Sequence, residues 1–206
     1  MEPLRMVLVT RRGAIASLGR AAELAGAAAV RCVREHADDP WLGRWRARPG
    51  KVVLRARGGQ WDEALALEGA VVVGEPAGEC VIALPPRPRD ARPEVLDRLQ
   101  AMASELEPPP DGLDARPPSP ALVYAVNPRF AMSSGKTLAQ VAHAAVAAAE
   151  HRPGWAAAGC PAVTIAPSPA RFDALARDRR LVARIQDAGL TEVPPGTVTV
   201  LAIDPS

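Results

Sequence analysis

An α/β protein built from two tandem β-α-β-α-β-β units is what the sequence predicts, and three observations carry that reading. Short apolar runs alternate with alanine-rich helical stretches, the same order of elements occurs twice, and a proline-rich segment separates the two occurrences. In the first unit, apolar runs at 6–10, 51–55, 70–73 and 80–84 read as strands, and 21–36 and 61–67 read as helices. In the second, strands are expected at 122–126, 162–166, 181–185 and 197–203, with helices at 137–150 and 170–177. Each unit is therefore expected to be a small mixed sheet flanked by helices. Ten prolines lie between residues 85 and 120. Inside that stretch residues 92–106 read as a short helix with Leu96, Leu99, Met102 and Leu106 on one face. The domains are accordingly expected at 1–86, 87–120 (linker) and 121–206.

Composition restricts the chemistry. Apolar residues make up 48% of the 206 and aromatics only 3%, so the core is expected to be Ala, Val, Leu and Ile, with four tryptophans as the large fillers. The three cysteines have neither metal-ligand spacing nor a disulfide framework, the three histidines lack a carboxylate at a matching offset, and no metal is expected. No stretch is apolar enough to span a bilayer and no leader opens the chain, so a cytoplasmic location is expected. The net charge of +2 hides a division: residues 5–57 carry twelve Arg and Lys against four Asp and Glu, whereas residues 58–118 carry five against twelve. An arginine excess of this kind steers nucleic acid by its backbone, or it is simply a set of solvated helix faces.

Residues 132–145, M-S-S-G-K-T-L-A-Q-V-A-H-A-A, are the most informative stretch. A Ser-Ser-Gly turn precedes a lysine on the first helical turn, so Ser133, Ser134, Gly135 and the Lys136 ammonium are expected to converge where an anion such as phosphate binds. Lys136, Gln140 and His143 share one face at i, i+4, i+7, and Ala139, Ala142, Val146 and Ala149 form another suited to close packing on a sheet. Only two lysines occur, Lys51 and Lys136, against 23 arginines, which makes Lys136 a poor candidate for an interchangeable surface charge. Downstream, residues 187–204 read D-A-G-L-T-E-V-P-P-G-T-V-T-V-L-A-I-D. Neither a G-x-S-x-G elbow nor a Walker loop is present: Gly135-Lys136-Thr137 lacks the upstream glycine.

These two motifs, in this order, resemble those of the archaeal and eukaryotic type of peptidyl-tRNA hydrolase, whose signatures run approximately M-G-K-G-K-x-A-A-Q-x-x-H-A and D-A-G-x-T-x-x-x-x-G-x-x-T-V-L-A-I-x-P. The resemblance covers nearly the whole second unit. Arg-rich, Lys-poor usage and the extra length are similar to long actinobacterial members. The resemblance implies hydrolysis of the ester joining a peptide to tRNA, without an organic cofactor, with Lys136, Asp187, Thr191 and Thr199 as catalytic residues. It also implies Ser133, Ser134, Gly135, Gln140 and His143 as substrate-binding residues. Lys136 would hold phosphate or an oxyanion, Asp187 would act as base or orient a neighbour, and the two threonines would offer hydroxyls to water or carbonyl. Residue by residue, blander readings stand beside these: turn chemistry for Asp187 before Gly189, an ordinary β-branched strand residue for Thr199, a solvated or capping Gln140, a buried structural His143, and a turn glycine at Gly196. A non-catalytic tRNA or nucleotide binder of the same fold, or a specialised hydrolase acting on a tRNA-linked peptide, are the alternative functions.

Family assembly as homodimers implies that a chain with two copies folds as a pseudo-dimer with one working site. Helix on helix, Lys136 is set opposite Ala21, Gln140 opposite Ala25, His143 opposite Ala28 and, on the last strands, Thr199 opposite Cys80, so the first copy is expected to have lost the chemistry. The chain departs from the family at Asn127 and Arg129, at Ser134 (a lysine in the signature) and at Leu190 and Glu192 (Arg-Gln in the family). Positive charge is thus missing near the site, and Arg44, Arg46, Arg48 and Lys51 of the first unit are expected to replace it.

Overall fold

The computed structural model describes residues 4–103, 106–113 and 117–206. The first half contains β1 (Arg5–Arg11), α1 (Leu18–Glu35), α2 (Pro40–Ala47), β2 (Gly50–Ala56), α3 (Gly59–Leu65), β3 (Val71–Gly74) and β4 (Cys80–Arg87). A short α4 (Glu94–Asp97) and a two-residue β5 (Gln100–Ala101) follow. The second half contains β6 (Leu122–Val126), α5 (Ser134–His151), α6 (Pro153–Ala157), β7 (Ala162–Ile165), α7 (Pro169–Leu175), β8 (Leu181–Gln186) and β9 (Val198–Ile203).

Two mixed sheets flanked by helices result, with strand orders β3-β4-β1-β2-β5 and β7-β6-β9-β8. Leaving out β5, the order and the strand directions coincide. β1 runs parallel to β2 and antiparallel to β4, as β6 does to β7 and β9, and β3 and β8 each pair antiparallel with the last strand of their half. Buried runs explain the central strands: β6 and the core of β1 are apolar on both faces, as strands covered on both sides must be.

Helices α1 and α5 pack on each other and on both sheets, α1 reaching β7 and α5 reaching β2. The exchange is reciprocal, as in an isologous contact. Both helices are 18 residues long, start at a serine whose hydroxyl accepts the backbone N–H three residues on (Ser17 from Arg20, Ser133 from Lys136), and bury small residues at matching positions. A methyl group on Gly26 would come within 3.1 Å of the Ala145 Cβ, which shows how closely the helices approach. The apolar cluster around them draws on both halves, from Met6, Ala25 and Trp45 to Tyr124, Leu138 and Trp155.

Three expectations are corrected. Residues 92–106 are not one helix: the helical turn stops at Asp97, and the chain then extends so that β5 pairs with β2 and Met102 N–H donates to Val53 O at 2.9 Å. Sheet-edge pairing satisfies more backbone than a helix started behind Pro93 could, and residues 104–105 of the expected helix lie outside the described residues. Helices α2 and α6 were not foreseen; each is short, opened by proline and anchored by a tryptophan whose indole N–H donates to a carbonyl where the next strand begins (Trp45 to Gly50 O, the first residue of β2, 2.7 Å; Trp155 to Pro161 O, just before β7, 2.8 Å). Matching the N-caps Ser17 and Ser133 also moves the helical register by one residue. Lys136 stands opposite Arg20, Gln140 opposite Leu24 and His143 opposite Ala27, whereas Thr199 opposite Cys80 agrees with the strand registers. The first half therefore keeps a cation at the lysine position, and Arg20 is spent in a 3.2 Å surface ion pair with Glu79.

Candidate active site

A cleft of about 970 Å³ opens where the start of α5, the β8–β9 loop and the β2 edge of the first half meet. On its floor, Lys136 from the first turn of α5 reaches Asp187 at the end of β8. Its ammonium donates to Asp187 Oδ2 and, at 2.8 Å, to Thr191 Oγ1. Asp187 is 8% exposed and divides its oxygens between two tasks. Oδ1 accepts the Gly189 N–H at 2.8 Å, closing the Asp-Ala-Gly turn, while Oδ2 accepts from Lys136 and, at 2.9 Å, from Gln140 Nε2. Turn chemistry and site chemistry are thus two ends of one carboxylate. Gly189 is obligatory there: it adopts φ +74°, and a Cβ would lie 2.4 Å from Pro195 N.

The polar stripe of α5 does not look into open solvent. Gln140 is 5% exposed and locked between Asp187 and Thr199, whose hydroxyl donates to Gln140 Oε1 at 2.6 Å. With a carboxylate on one side, the amide has one possible orientation. Thr199 is wholly buried and its remaining neighbour is Ile185 O at 3.3 Å. Gln140 also lines the cleft, and through it Thr199 is tied to the Asp187 carboxylate. Thr191 is exposed and accepts from Lys136, and its own O–H has no acceptor among the described residues.

Ser133 and Gly135 line the cleft, but Ser134 does not. It is 1% exposed under the linker, its Oγ accepting the Leu106 N–H at 3.0 Å, and a Cβ on the neighbouring Gly135 would meet Met102 O at 2.3 Å. A lysine at position 134 would be buried beneath that strap. A carboxylate stands at the helix start, where convergence on an anion is expected. Glu192 provides it, accepting the Ser133 N–H at 2.7 Å and the Ser133 hydroxyl at 2.8 Å. Glu192 was noted only as a departure from a motif; that a carboxylate had replaced a neutral amide beside a helix N-terminus was the signal available.

His143 is half-buried on the cleft wall, its Nδ1 2.9 Å from Lys51 Nζ of β2, and burial, with Lys51 and Lys136 nearby, holds its pKa well below the usual imidazole value. Of the first-half cations, Arg46, Arg48 and Lys51 line the cleft and Arg44 does not, stacking instead on Trp41 at 4.7 Å. Arg129 forms a surface ion pair with Asp173 of α7, raising its own pKa and lowering that of Asp173, and Asn127 Nδ2 donates to Val198 O at 2.7 Å, pinning the start of β9. Among the described residues no group of His, Cys, Asp and Glu is placed to hold a metal ion.

The family model described as "Peptidyl-tRNA hydrolase PTH2" matches residues 121–206, the part that carries Lys136, Gln140, Asp187, Thr191 and Thr199. Curated relatives agree. A peptidyl-tRNA hydrolase of Thermococcus onnurineus (strain NA1) is 38% identical over 97 residues, covering 41% of this chain and 82% of the relative. One of Thermococcus sibiricus is 40% identical over 96 residues, covering 40% and 81%. The chain belongs to the peptidyl-tRNA hydrolase PTH2 family. A third relative, from Staphylothermus marinus, is 38% identical over 96 residues. No solved structure gives a significant match to the chain. The PTH2 match leaves the first 120 residues outside it, and with them one wall of the cleft. No helix among the described residues is long and apolar enough to cross a membrane.

Proposed function

We propose that the chain hydrolyses the ester between a peptide, or an N-blocked amino acid, and tRNA, releasing free tRNA, and that the reaction takes place over Lys136 in the second half. One observation carries this reading. The Lys136 ammonium is held by Asp187 and Thr191 at the floor of an open cleft, with a third N–H uncommitted among the described residues. A carbonyl oxygen placed there would meet that N–H and the Thr191 O–H, two preorganised donors for the oxyanion that forms as water adds. Loss of one such donor costs on the order of 3 kcal/mol of transition-state stabilisation. Asp187 Oδ1 retains a lone pair beyond its bond to Gly189 and accepts the proton of the attacking water. When the tetrahedral adduct collapses, the C–O bond to the ribose breaks and that proton passes to the departing ribose oxygen. The products are the peptide acid and tRNA. Gln140 and Thr199 are positioning residues that fix the Asp187 carboxylate.

The domain division at 1–86, 87–120 and 121–206 belongs to the same proposal, as does a pseudo-dimer of two copies within the chain. The common strand order, the reciprocal packing of α1 and α5 and the paired N-cap serines support it. tRNA is the partner this reading requires and the cytoplasm the place where it would be met. The test is release of tRNA from N-acetyl-aminoacyl-tRNA by wild type, Asp187→Asn and Lys136→Ala at two salt concentrations. Turnover by wild type and its loss in both variants is expected. Salt-sensitive tRNA binding without turnover would replace the hydrolase by a binder of the same fold.

A further inference from the structure

The chain has two lysines, they lie in opposite halves, and both line the one cleft. Lys136 belongs to the reaction centre. Lys51 stands at the start of β2, its ammonium 4.6 Å from the Trp45 ring centroid and 2.9 Å from His143 Nδ1. Both neighbours are fixed: Trp45 is 1% exposed and tied to Gly50 O, and His143 is carried by α5. An aromatic face and a neutral imidazole hold a cation without neutralising it. No carboxylate among the described residues pairs with Lys51, and burial without a counter-charge lowers its pKa well below the ordinary lysine value. Burial thus disfavours the ammonium until an anion, which the protein does not itself provide, stands beside it. Arg48 lines the same wall and adds positive charge there, while Arg46 beside it is paired with Glu150 at 3.5 Å. In the substrate of the proposed reaction the repeated anions are backbone phosphates. Lys136 and His143 are seven residues apart on one helix, about 10 Å along its axis, which leaves room for a terminal nucleoside between the reacting ester and a phosphate at Lys51.

We propose that Lys51, held by Trp45 and His143, is a substrate-contacting residue that seats a backbone phosphate of the tRNA strand, so that the first half supplies part of the binding site of the second. The inference rests on the hydrolase reading only for the choice of tRNA as the source of the phosphate. At the position of β7 that corresponds to Lys51 the second half has Ala162, and opposite His143 the first half has Ala27, so the seat exists once, on the side of the working site.

The experiment uses the full chain with Lys51→Met and Lys51→Arg, measuring KM and kcat on N-acetyl-aminoacyl-tRNA across a series of potassium chloride concentrations, with thermal unfolding alongside. For Lys51→Met, KM should rise about tenfold with kcat within about twofold. The slope of log(kcat/KM) against log salt should become shallower by about 0.7, the value of one phosphate contact on a single strand. Lys51→Arg should keep most of the slope. Unchanged KM and slope in a folded Lys51→Met protein would overturn the proposal while leaving the hydrolase intact, and so would a fall in kcat alone. If wild type proves to have no turnover, equilibrium binding of deacylated tRNA decides by the same slope, so failure of the hydrolase reading is told apart from failure of the phosphate seat. Should Lys51→Met fold poorly, Lys51→Gln read by the same slope takes its place.

Discussion

Thr199→Val is the substitution that separates holding the carboxylate from touching the substrate. Valine matches threonine in shape, so packing at this wholly buried position is kept and only the hydroxyl is lost. Removing it breaks the 2.6 Å bond to Gln140 Oε1 and leaves a buried amide oxygen unpaired. A neutral hydrogen bond is worth about 1 kcal/mol net and an orphaned buried acceptor costs about 1–3, so a loss near 2 kcal/mol is expected. For a chain of this size that corresponds to a Tm lowered by roughly 4–8 °C. In catalysis the effect reaches the reacting atoms only through Gln140 and Asp187. If about 1.4 kcal/mol of positioning is lost, kcat falls about tenfold with KM unchanged. Steady-state hydrolysis of N-acetyl-aminoacyl-tRNA, with a thermal melt on the same preparation, reads both numbers. A fall in kcat of several hundredfold with an unaltered Tm would mean that the Thr199 hydroxyl contacts the transition state, and the argument for a buried positioning chain would be refuted.

Three more expectations follow from the same geometry. Glu192→Gln removes the carboxylate that occupies the start of α5 beside Lys136, so KM for the tRNA substrate should fall severalfold at low salt; a rise would show that Glu192 orders the loop rather than competing with substrate. Tyr124 carries a fully buried hydroxyl without a hydrogen-bond partner among the described residues, and Tyr124→Phe should raise stability by about 1 kcal/mol in urea unfolding, whereas destabilisation would reveal a partner. His143, whose folded pKa is depressed, takes up a proton below about pH 6.5 in the unfolded chain but not in the folded one. Stability therefore falls as pH drops below 6.5, and wild type should lose about 1 kcal/mol more than His143→Gln between pH 7 and 5.5; equal losses would show that the imidazole charges freely in the fold.

Where the sequence was legible, local chemistry and tertiary role coincided. The eight strands of the two units were readable because apolar runs bounded by Gly and Pro have few other fates, and the Lys136 and Asp187 motifs pointed to one place because turn and cap residues fix backbone direction locally. What was not legible depended on neighbours far along the chain. Residues 99–102 carry apolar side chains at helical spacing, yet the unpaired edge of β2 drew them into a strand. The hydrogen bonds that join Thr199, Gln140 and Asp187 were not readable either, because periodicity says which face a residue is on and not which side chain from another strand meets it. The one-residue error in matching α1 to α5 arose because an alanine-rich helix offers several equivalent alignments, and only the N-cap serines distinguish them. Glu192 belongs to the same class, since its partner Ser133 lies 59 residues away.

The connection after the strand Gln100–Ala101 meets both helix starts: a Cβ on Gly135 would meet Met102 O and Ser134 Oγ accepts the Leu106 N–H, while Glu107 exchanges backbone hydrogen bonds with Ala16 and Leu18 around the Ser17 cap of α1. A connection between two like units takes a single path, so it meets the two helix starts with different residues and different bonds, a side-chain hydroxyl at α5 and backbone pairing at α1. Two separate identical chains would carry every substitution twice, on both sides of their axis. Joined in series, equivalent places become independent, and β2 can hold a lysine where β7 holds an alanine. Joining in series is in this sense what lets the molecule have a front and a back.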